Sequence, residues 1–325
     1  QEGCGALGLE HARVTVEDQG ALPFTLAARL ETAVRRAGVT PAGEFLLPQS
    51  DKCTGTSERD RLRRSRLYLP GNEPKFFVNA GLHDPDGVIL DLEDSVAPAE
   101  KDAARALVRN ALRAVDFHGA ERMVRINQGE PGLEDLEWVV PHQVNLVLIP
   151  KVEDPQQVAD VADRIAAIGR REGITAPVHL IPIIESALGA WRAYEIAAAS
   201  ENVVALAIGL EDYTADIGAQ RTLEGTESFW ARAQVLNGAR AAHVQPMDTV
   251  FSDVTDMASL AASVREAKSL GFVGKGCIHP RQIAVVHDAF APDAGAVEKA
   301  CHIVIAFEEA EAKGLGVVSL GSKMI

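Results

Sequence analysis

The sequence predicts an α/β protein, a (β/α)8 TIM barrel with a C-terminal helical extension and a small N-terminal α/β remnant. Three observations predict it. Short apolar segments recur from residue 66 onward, each is followed by a stretch of helical periodicity that ends near a glycine, and eight such repeats fill about 250 residues. The eight strand segments are "RLYLPG", "GVILDLED", "MVRIN", "NLVLIPKVE", "VHLIPIIES", "VVALAIGLED", "MDTVFSDV" and "GKGCIHP". Segments such as "PQQVADVADRIAAIGRREG" carry the helical spacing between them.

Ahead of the barrel, residues 1–40 read as a unit of their own. "ARVTVED" alternates like a strand, with Val14 and Val16 on one side and Thr15 and Glu17 on the other. "GALPFTLAARLETAVRRAG" reads as a helix with Leu22, Leu26, Leu30 and Val34 on one face and a stop at Gly38. One strand and one helix cannot bury a core alone, so this segment is a remnant or packs on a neighbour. Residues 41–64, rich in Pro, Gly, Ser and Thr, read as a linker. The basic run "RDRLRRSR" (Arg59, Arg61, Arg63, Arg64 and Arg66) is expected to be a solvated face, with anion binding as the alternative. The barrel domain is assigned to 65–291, and a last helix, about 294–313, with a Gly-rich tail to 292–325.

Composition excludes several functions. The 325 residues are 47% hydrophobic and 24% charged, and 46 acids against 32 bases give a formal charge of −14, which argues against nucleic acid as a general partner. Aromatics at 5% leave no base-stacking platform. The four cysteines, Cys4, Cys53, Cys277 and Cys301, never form a C-x-x-C pair, so structural zinc and a disulfide framework are unsupported. No apolar run reaches the roughly 18 residues of a membrane span, and no signal peptide is visible. A cytoplasmic protein is the expectation. An initiator Met is lacking, so a processed or cut chain is also expected.

In such barrels chemistry sits at the carboxyl ends of the strands. By that reading strand one ends in "PGNEPK", strand two in Asp91, Glu93 and Asp94, and strand three in Arg125 and Asn127. Strand four ends in Lys151 and Glu153, strand five in Glu185 and Ser186, and strand six in Glu211 and Asp212. Strand seven contributes Ser252 and Asp253, and strand eight His279, Pro280 and Arg281. So many carboxylates on one rim would repel one another without a cation. Oxygen ligands without Cys or His favour a hard ion, Mg2+ or Mn2+. For a single acid such as Asp94 or Asp154, helix capping explains as much. Arg125 could hold a substrate carboxylate or sit in a structural ion pair. Lys151 lacks a neighbour that would lower its pKa for Schiff-base chemistry, and His279 reads as packed more readily than as a base. "GFVGKG" lacks the spacing of a P-loop.

Taken in order, "LYLPGNEPKF", "VILDLEDSVAPAEKDAAR", "VRIN", "LIPKVE", "IIES", "IGLEDY" and "GCIHPRQI" resemble the citrate lyase β-subunit family, within the HpcH/HpaI aldolase superfamily that includes malyl-CoA and citramalyl-CoA lyases. The likeness spans about 66–325. "VTVEDQGALPFTLAARLETAVRRA" is similar to the second half of the citrate lyase acyl-carrier (γ) subunit, without the half that bears the carrier's serine.

The resemblance implies a Mg2+-dependent lyase that cleaves a 3-hydroxyacyl thioester (citryl-, citramalyl- or malyl-CoA or carrier) to a 2-keto acid and an acetyl thioester. It implies Glu185 and Asp212 as Mg2+ ligands and Arg125 as the grip on the keto-acid half. Asp91, Glu93 and Asp94 would lie in the metal's outer shell beside Arg125. Pro70, Gly71, Asn72, Lys101 and Arg105 would receive the CoA or carrier arm. It further implies a homo-oligomer, trimer or hexamer, and association with other lyase subunits. An aspartate following a sequence like "GSKMI" reaches a neighbouring subunit in the family, so the site is expected to be completed by a residue after Ile325. Two rivals remain: a malyl-thioester hydrolase on the same scaffold, and a non-catalytic assembly subunit.

Overall fold

Runs of four to six residues rich in Val, Ile and Leu cannot leave one face in water, and here they close on themselves. The computed structural model describes residues 1–312 and 314, and the backbone of 319–320 and 323–324. All eight strands foreseen form one closed parallel barrel in chain order. They are β1 (Ser65–Pro70), β2 (Gly87–Asp91), β3 (Glu121–Arg125), β4 (Leu146–Ile149), β5 (His179–Ile184), β6 (Ala205–Ile208), β7 (Gln245–Asp248) and β8 (Gly274–Cys277). Alternation along each strand divides the apolar side chains into two sets. Ile89, Met123, Leu148, Ile183 and Met247 fill the barrel, while Val88, Leu90, Val124, Val147 and Leu206 face the surrounding helices.

The helices are α1 (Glu2–Ala6), α2 (Pro23–Arg36), α3 (Lys101–Ala114), α4 (Gly129–Val139), α5 (Pro155–Glu172), α6 (Ala187–Trp191), α7 (Ala193–Ala197), α8 (Leu210–Asp216), α9 (Phe229–Ala241), α10 (Met257–Leu270), α11 (Arg281–Phe290) and α12 (Ala294–Ala312). Helix α5 shows how local sequence sets them. Asp154 and Gln157 form a capping box at its start, four apolar residues (Val158, Val161, Ile165 and Ile168) point inward, and Gly173 takes φ +68° at its end. For Asp154, capping is therefore the role the structure shows.

Three expectations change. "ARVTVED" forms no strand: residues 12–18 have no pairing partner, and Val14 and Val16 are exposed. A lone strand without a neighbour gains no ladder. Helix α2 does form, and it docks on α3 through Glu31, buried against Arg109 at 2.7 Å.

Residues 41–64 do not behave as a loose linker. Cys53 and Ser57 are buried, and the Gly55 carbonyl accepts from Arg122 and Asn145, which ties the segment across the amino-terminal end of the barrel. Nor is the basic run a solvated face. Arg63 is fully buried against Glu121 and Arg64 pairs with Asp86, so those acids draw these two residues inward; Arg66 points into the barrel, and of the five arginines Arg59 alone stays exposed.

The predicted last helix is α12. Of the tail beyond it, residue 314 and the backbone of 319–320 and 323–324 are described, the two pairs forming a short antiparallel ladder; the aspartate implied after Ile325 lies outside the described residues. Among the described residues no helix is long and apolar enough to cross a membrane.

Candidate active site

Register places Asp91 beside Arg125, because β2 and β3 pair Asp91 with Arg125 as β1 and β2 pair Pro70 with Asp91. Arg125 grips Asp91 through Nε and Nη2, each at 2.7 Å, and its Nη1 lies 3.0 Å from Glu93. Its guanidinium also stacks 5.3 Å from the centre of the Tyr68 ring. The "DLEDSV" turn folds around the same carboxylate: Asp91 accepts the Glu93 and Ser95 amides. Burial alone would raise the Asp91 carboxyl, but the Arg125 hydrogen bonds and charge outweigh it and hold it below the usual carboxylate range.

Lys151 is the second cation. It follows β4 with φ +50°, and its Nζ lies 2.8 Å from Glu93 and 3.0 Å from Asp94. Partial burial opposes its charge, yet Glu93 and Asp94 raise the ammonium above its ordinary value. Desolvation likewise opposes Asp94, and Lys151 nonetheless holds that carboxyl low. Such a lysine is a locked cation, which removes the Schiff-base alternative. Arg125 and Lys151 therefore pair with all three crowded acids, which leaves one negative charge over. Among the described residues no group of three or more His, Cys, Asp or Glu is arranged to hold a metal ion.

Also unbalanced is Glu185. It follows β5, is 7% exposed, and accepts the Lys151 amide at 2.8 Å. Burial, with Glu93 and Asp212 nearby, pushes its carboxyl up to about 7. Asp212 stands on the first turn of α8 with its side chain about half exposed, 3.9 Å from Lys151. Gly209 leaves the room: a Cβ there would lie 2.5 Å from Glu185 Oε1. Glu185, Asp212, Asp91, Asp94, Arg125 and Tyr68 line one cavity of about 400 Å3 at the carboxyl ends of the strands. Two carboxylates, one of them buried and short of a counter-charge, fit a hard divalent cation that keeps most of its water.

The other predicted binders divide. The Gly71 amide donates to the Asp91 carbonyl, and a Cβ at that position would collide with the same oxygen. Asn72 Oδ1 is buried without a hydrogen-bond partner. Pro70 borders a second cavity of about 560 Å3, with Lys75, Phe76, His83, His279 and Arg281. Lys101 and Arg105 do not reach either cavity. Lys101 donates to the carbonyls of Leu92 and Glu93, and Arg105 pairs with Asp135 and Glu134, so both brace the loops around β2 and β3.

At strand seven the expected residues are displaced. β7 ends at Asp248, and Asp253 instead accepts the Thr255 and Asp256 amides of its own turn. Sequence reasoning also missed Tyr68 and, except as a member of the basic run with anion binding as its alternative, Arg66; it missed Gly209 too. The period of two would have found the first pair, which alternate inward along β1; nothing in the sequence marks Gly209.

Fold and mouth together define an enzyme class, a (β/α)8 barrel whose chemistry lies at the carboxyl ends of its strands. The chain belongs to the HpcH/HpaI aldolase/citrate lyase family, whose model matches residues 64–280, and it is a carbon–carbon lyase. A second model, for an ACP described as the malonate decarboxylase delta subunit, matches residues 1–37.

Citrate lyase subunit beta of Escherichia coli is 41% identical over 273 residues, 82% of this chain and 89% of the relative. Human mitochondrial citramalyl-CoA lyase is 33% identical over 275 residues, 81% of each chain. The crystal structure of CitE from Mycobacterium tuberculosis, in complex with magnesium, acetoacetate and coenzyme A, superposes with a TM-score of 0.67 at 31% identity, covering 82% of this chain and 94% of that one.

Proposed function

We propose that this chain cleaves a 3-hydroxyacyl thioester to a 2-keto acid and an acetyl thioester, with Mg2+ held by Glu185 and Asp212. The observation that carries the reading is Glu185, a buried carboxylate without a matching cation, in the same cavity as the clamped Arg125. Magnesium held there would supply Lewis-acid charge that favours ionisation of the substrate's hydroxyl.

The chain's own residues supply the rest. Arg125 binds the carboxylate of the keto-acid half and stabilises negative charge on the oxygen that becomes the ketone. Asp91 and Glu93 fix the orientation of its guanidinium, and Lys151 keeps Glu93 and Asp94 in place. A base takes the hydroxyl proton; the electrons of the cleaved carbon–carbon bond pass to the acetyl thioester as its enolate, which is then protonated. In the family that the chain resembles, that acid–base role falls to an aspartate that follows a sequence like "GSKMI".

The thioester arm, CoA or a protein carrier, leaves past Pro70, Gly71 and Asn72 into the second cavity, where Lys75, His83 and Arg281 offer donors to an anionic arm. Lys101 and Arg105 act indirectly in this reading, by holding the loops that frame the arm. A homo-oligomer is supported by the exposed aromatic patch around stacked Trp191 and Trp230, 5.7 Å apart, with Tyr194 and Phe229 beside them. The segment matching the acyl-carrier model supports association with other lyase subunits. A cytoplasmic setting fits four free cysteines, two of them buried.

The test is cleavage of citryl-CoA and citramalyl-CoA by the purified chain with Mg2+ or with EDTA. Release of a keto acid that EDTA abolishes is expected. Free CoA without acetyl-CoA would turn the assignment toward hydrolysis, and absence of Mg2+ binding by calorimetry would turn it toward an assembly subunit.

A further inference from the structure

One buried charge at the mouth takes no part in this mechanism. Strand β1 turns Arg66 into the barrel, where it is 1% exposed and lines the same cavity as Glu185 and Asp212. Its Nη2 donates to the Asp248 carbonyl at 3.2 Å, while Nε and Nη1 are buried with no hydrogen-bond partner. Asp248 cannot answer the charge with its carboxylate, because that group is held by Lys275 at 2.7 Å and Arg232 at 3.2 Å. Among the described residues no carboxylate forms an ion pair with Arg66. A guanidinium does not escape by losing its proton. A desolvated cation with empty donors is costly unless an anion arrives with the ligand.

Its position says which part of the ligand. The Asp248 carbonyl that holds it lies directly before Thr249, whose hydroxyl accepts the Leu210 amide at 3.2 Å. Leu210 in turn follows Gly209, the residue packed against Glu185. Arg66 thus enters the cavity of Glu185 and Asp212 from the early part of β1, whereas Arg125 enters it from the end of β3. Gly276 lines the same cavity, and the lack of a Cβ there lets Val250 and the Tyr68 ring pack close, since a Cβ would come 2.7 Å from the first and 3.3 Å from the second.

We propose that Arg66 is a specificity-determining residue that receives a second carboxylate on the substrate, so that the keto acid released is a dicarboxylate. The proposal rests on the lyase reading above and deepens it. It selects a carboxymethyl substituent on the carbon bearing the hydroxyl over a methyl or a hydrogen. The first would leave Arg66 paired, and the others would leave its donors empty.

Calorimetric titration of the Mg2+-loaded protein with oxaloacetate and with pyruvate tests it, on the parent chain, Arg66→Met and Arg66→Lys. The parent is expected to bind oxaloacetate at least about tenfold more tightly than pyruvate. Arg66→Met is expected to bring the two affinities together by weakening oxaloacetate, and Arg66→Lys to keep part of the difference. The comparison within the parent chain stands even if a variant folds poorly. Equal affinities in the parent would overturn the inference and leave the lyase reading standing, as would a preference that survives in Arg66→Met. Binding of neither acid would overturn both.

Discussion

At the closed end of the barrel Arg63 and Glu121 meet at 2.7 Å with both side chains fully shielded, and the remaining donors of Arg63 reach the Glu58, Arg59 and Arg61 carbonyls and the Gln245 side chain. Ser57 donates to the same Glu121 carboxylate, and His179 caps the Ser57 carbonyl at 2.9 Å. At the open end the Asp91–Arg125 pair is equally close, but Glu185 is left with one amide donor and Arg66 with one carbonyl. Both ends pay desolvation for buried charge. The closed end recovers it within the chain, and the open end leaves a carboxylate and a guanidinium for something that binds. That surplus separates a structural charge cluster from a working one.

The sharpest way to break this contrast is to remove charge from each end in turn. Glu185→Gln and Asp212→Ala are expected to lower turnover about 10^3-fold, since several kcal/mol of charge stabilisation go with the metal. The denaturation midpoint of Glu185→Gln is expected to hold or rise, because a buried carboxylate without its counter-charge opposes folding. Near-normal kcat in either variant would show that the open-end surplus is not catalytic.

Glu121→Gln is expected to do the reverse. It strands the Arg63 charge, costing about 3–5 kcal/mol of stability in a urea titration, while turnover per folded molecule stays at the parent value. Adding Arg63→Met should restore part of that loss. A stable Glu121→Gln would mean that the closed end is no better satisfied than the open one.

The barrel was legible because its strand segments and helical spacers alternate without exception, and burial enforces both periods. The acids at the ends of β2, β5 and β6 were legible for the same reason, since the end of an apolar run marks the rim. Their division of labour was not. Whether Asp91 meets a metal or an arginine depends on strand register, which pairs it with Arg125, and on Lys151 turning back from the next strand. The run "RDRLRRSR" misled because its partners, Glu121 and Asp86, lie far along the chain. "MDTVFSDV" misled because its apolar residues continue past Asp248, where pairing stops.

The mildest probe of the comparison is pH at the closed end, through His179. Its Nε2 is bonded to the Ser57 carbonyl, its Nδ1 has no partner, and burial, reinforced by Arg63 and Arg59 and opposed by Ser57 and Glu121, holds its pKa below the usual histidine value. As pH falls through about 6.5 the unfolded chain takes up a proton that the folded chain refuses, so the contribution to stability is present above that pH and is lost below it. His179→Gln keeps an amide donor and does not titrate. Its urea midpoint should therefore fall less between about pH 7.5 and about pH 5 than the parent's does. Burial beside Arg109 and Arg113 pushes His142, also buried, down to about 3; present in both proteins, it cancels from the difference. An identical acid response in the two would place the sensitivity elsewhere and show that the closed end admits a proton after all.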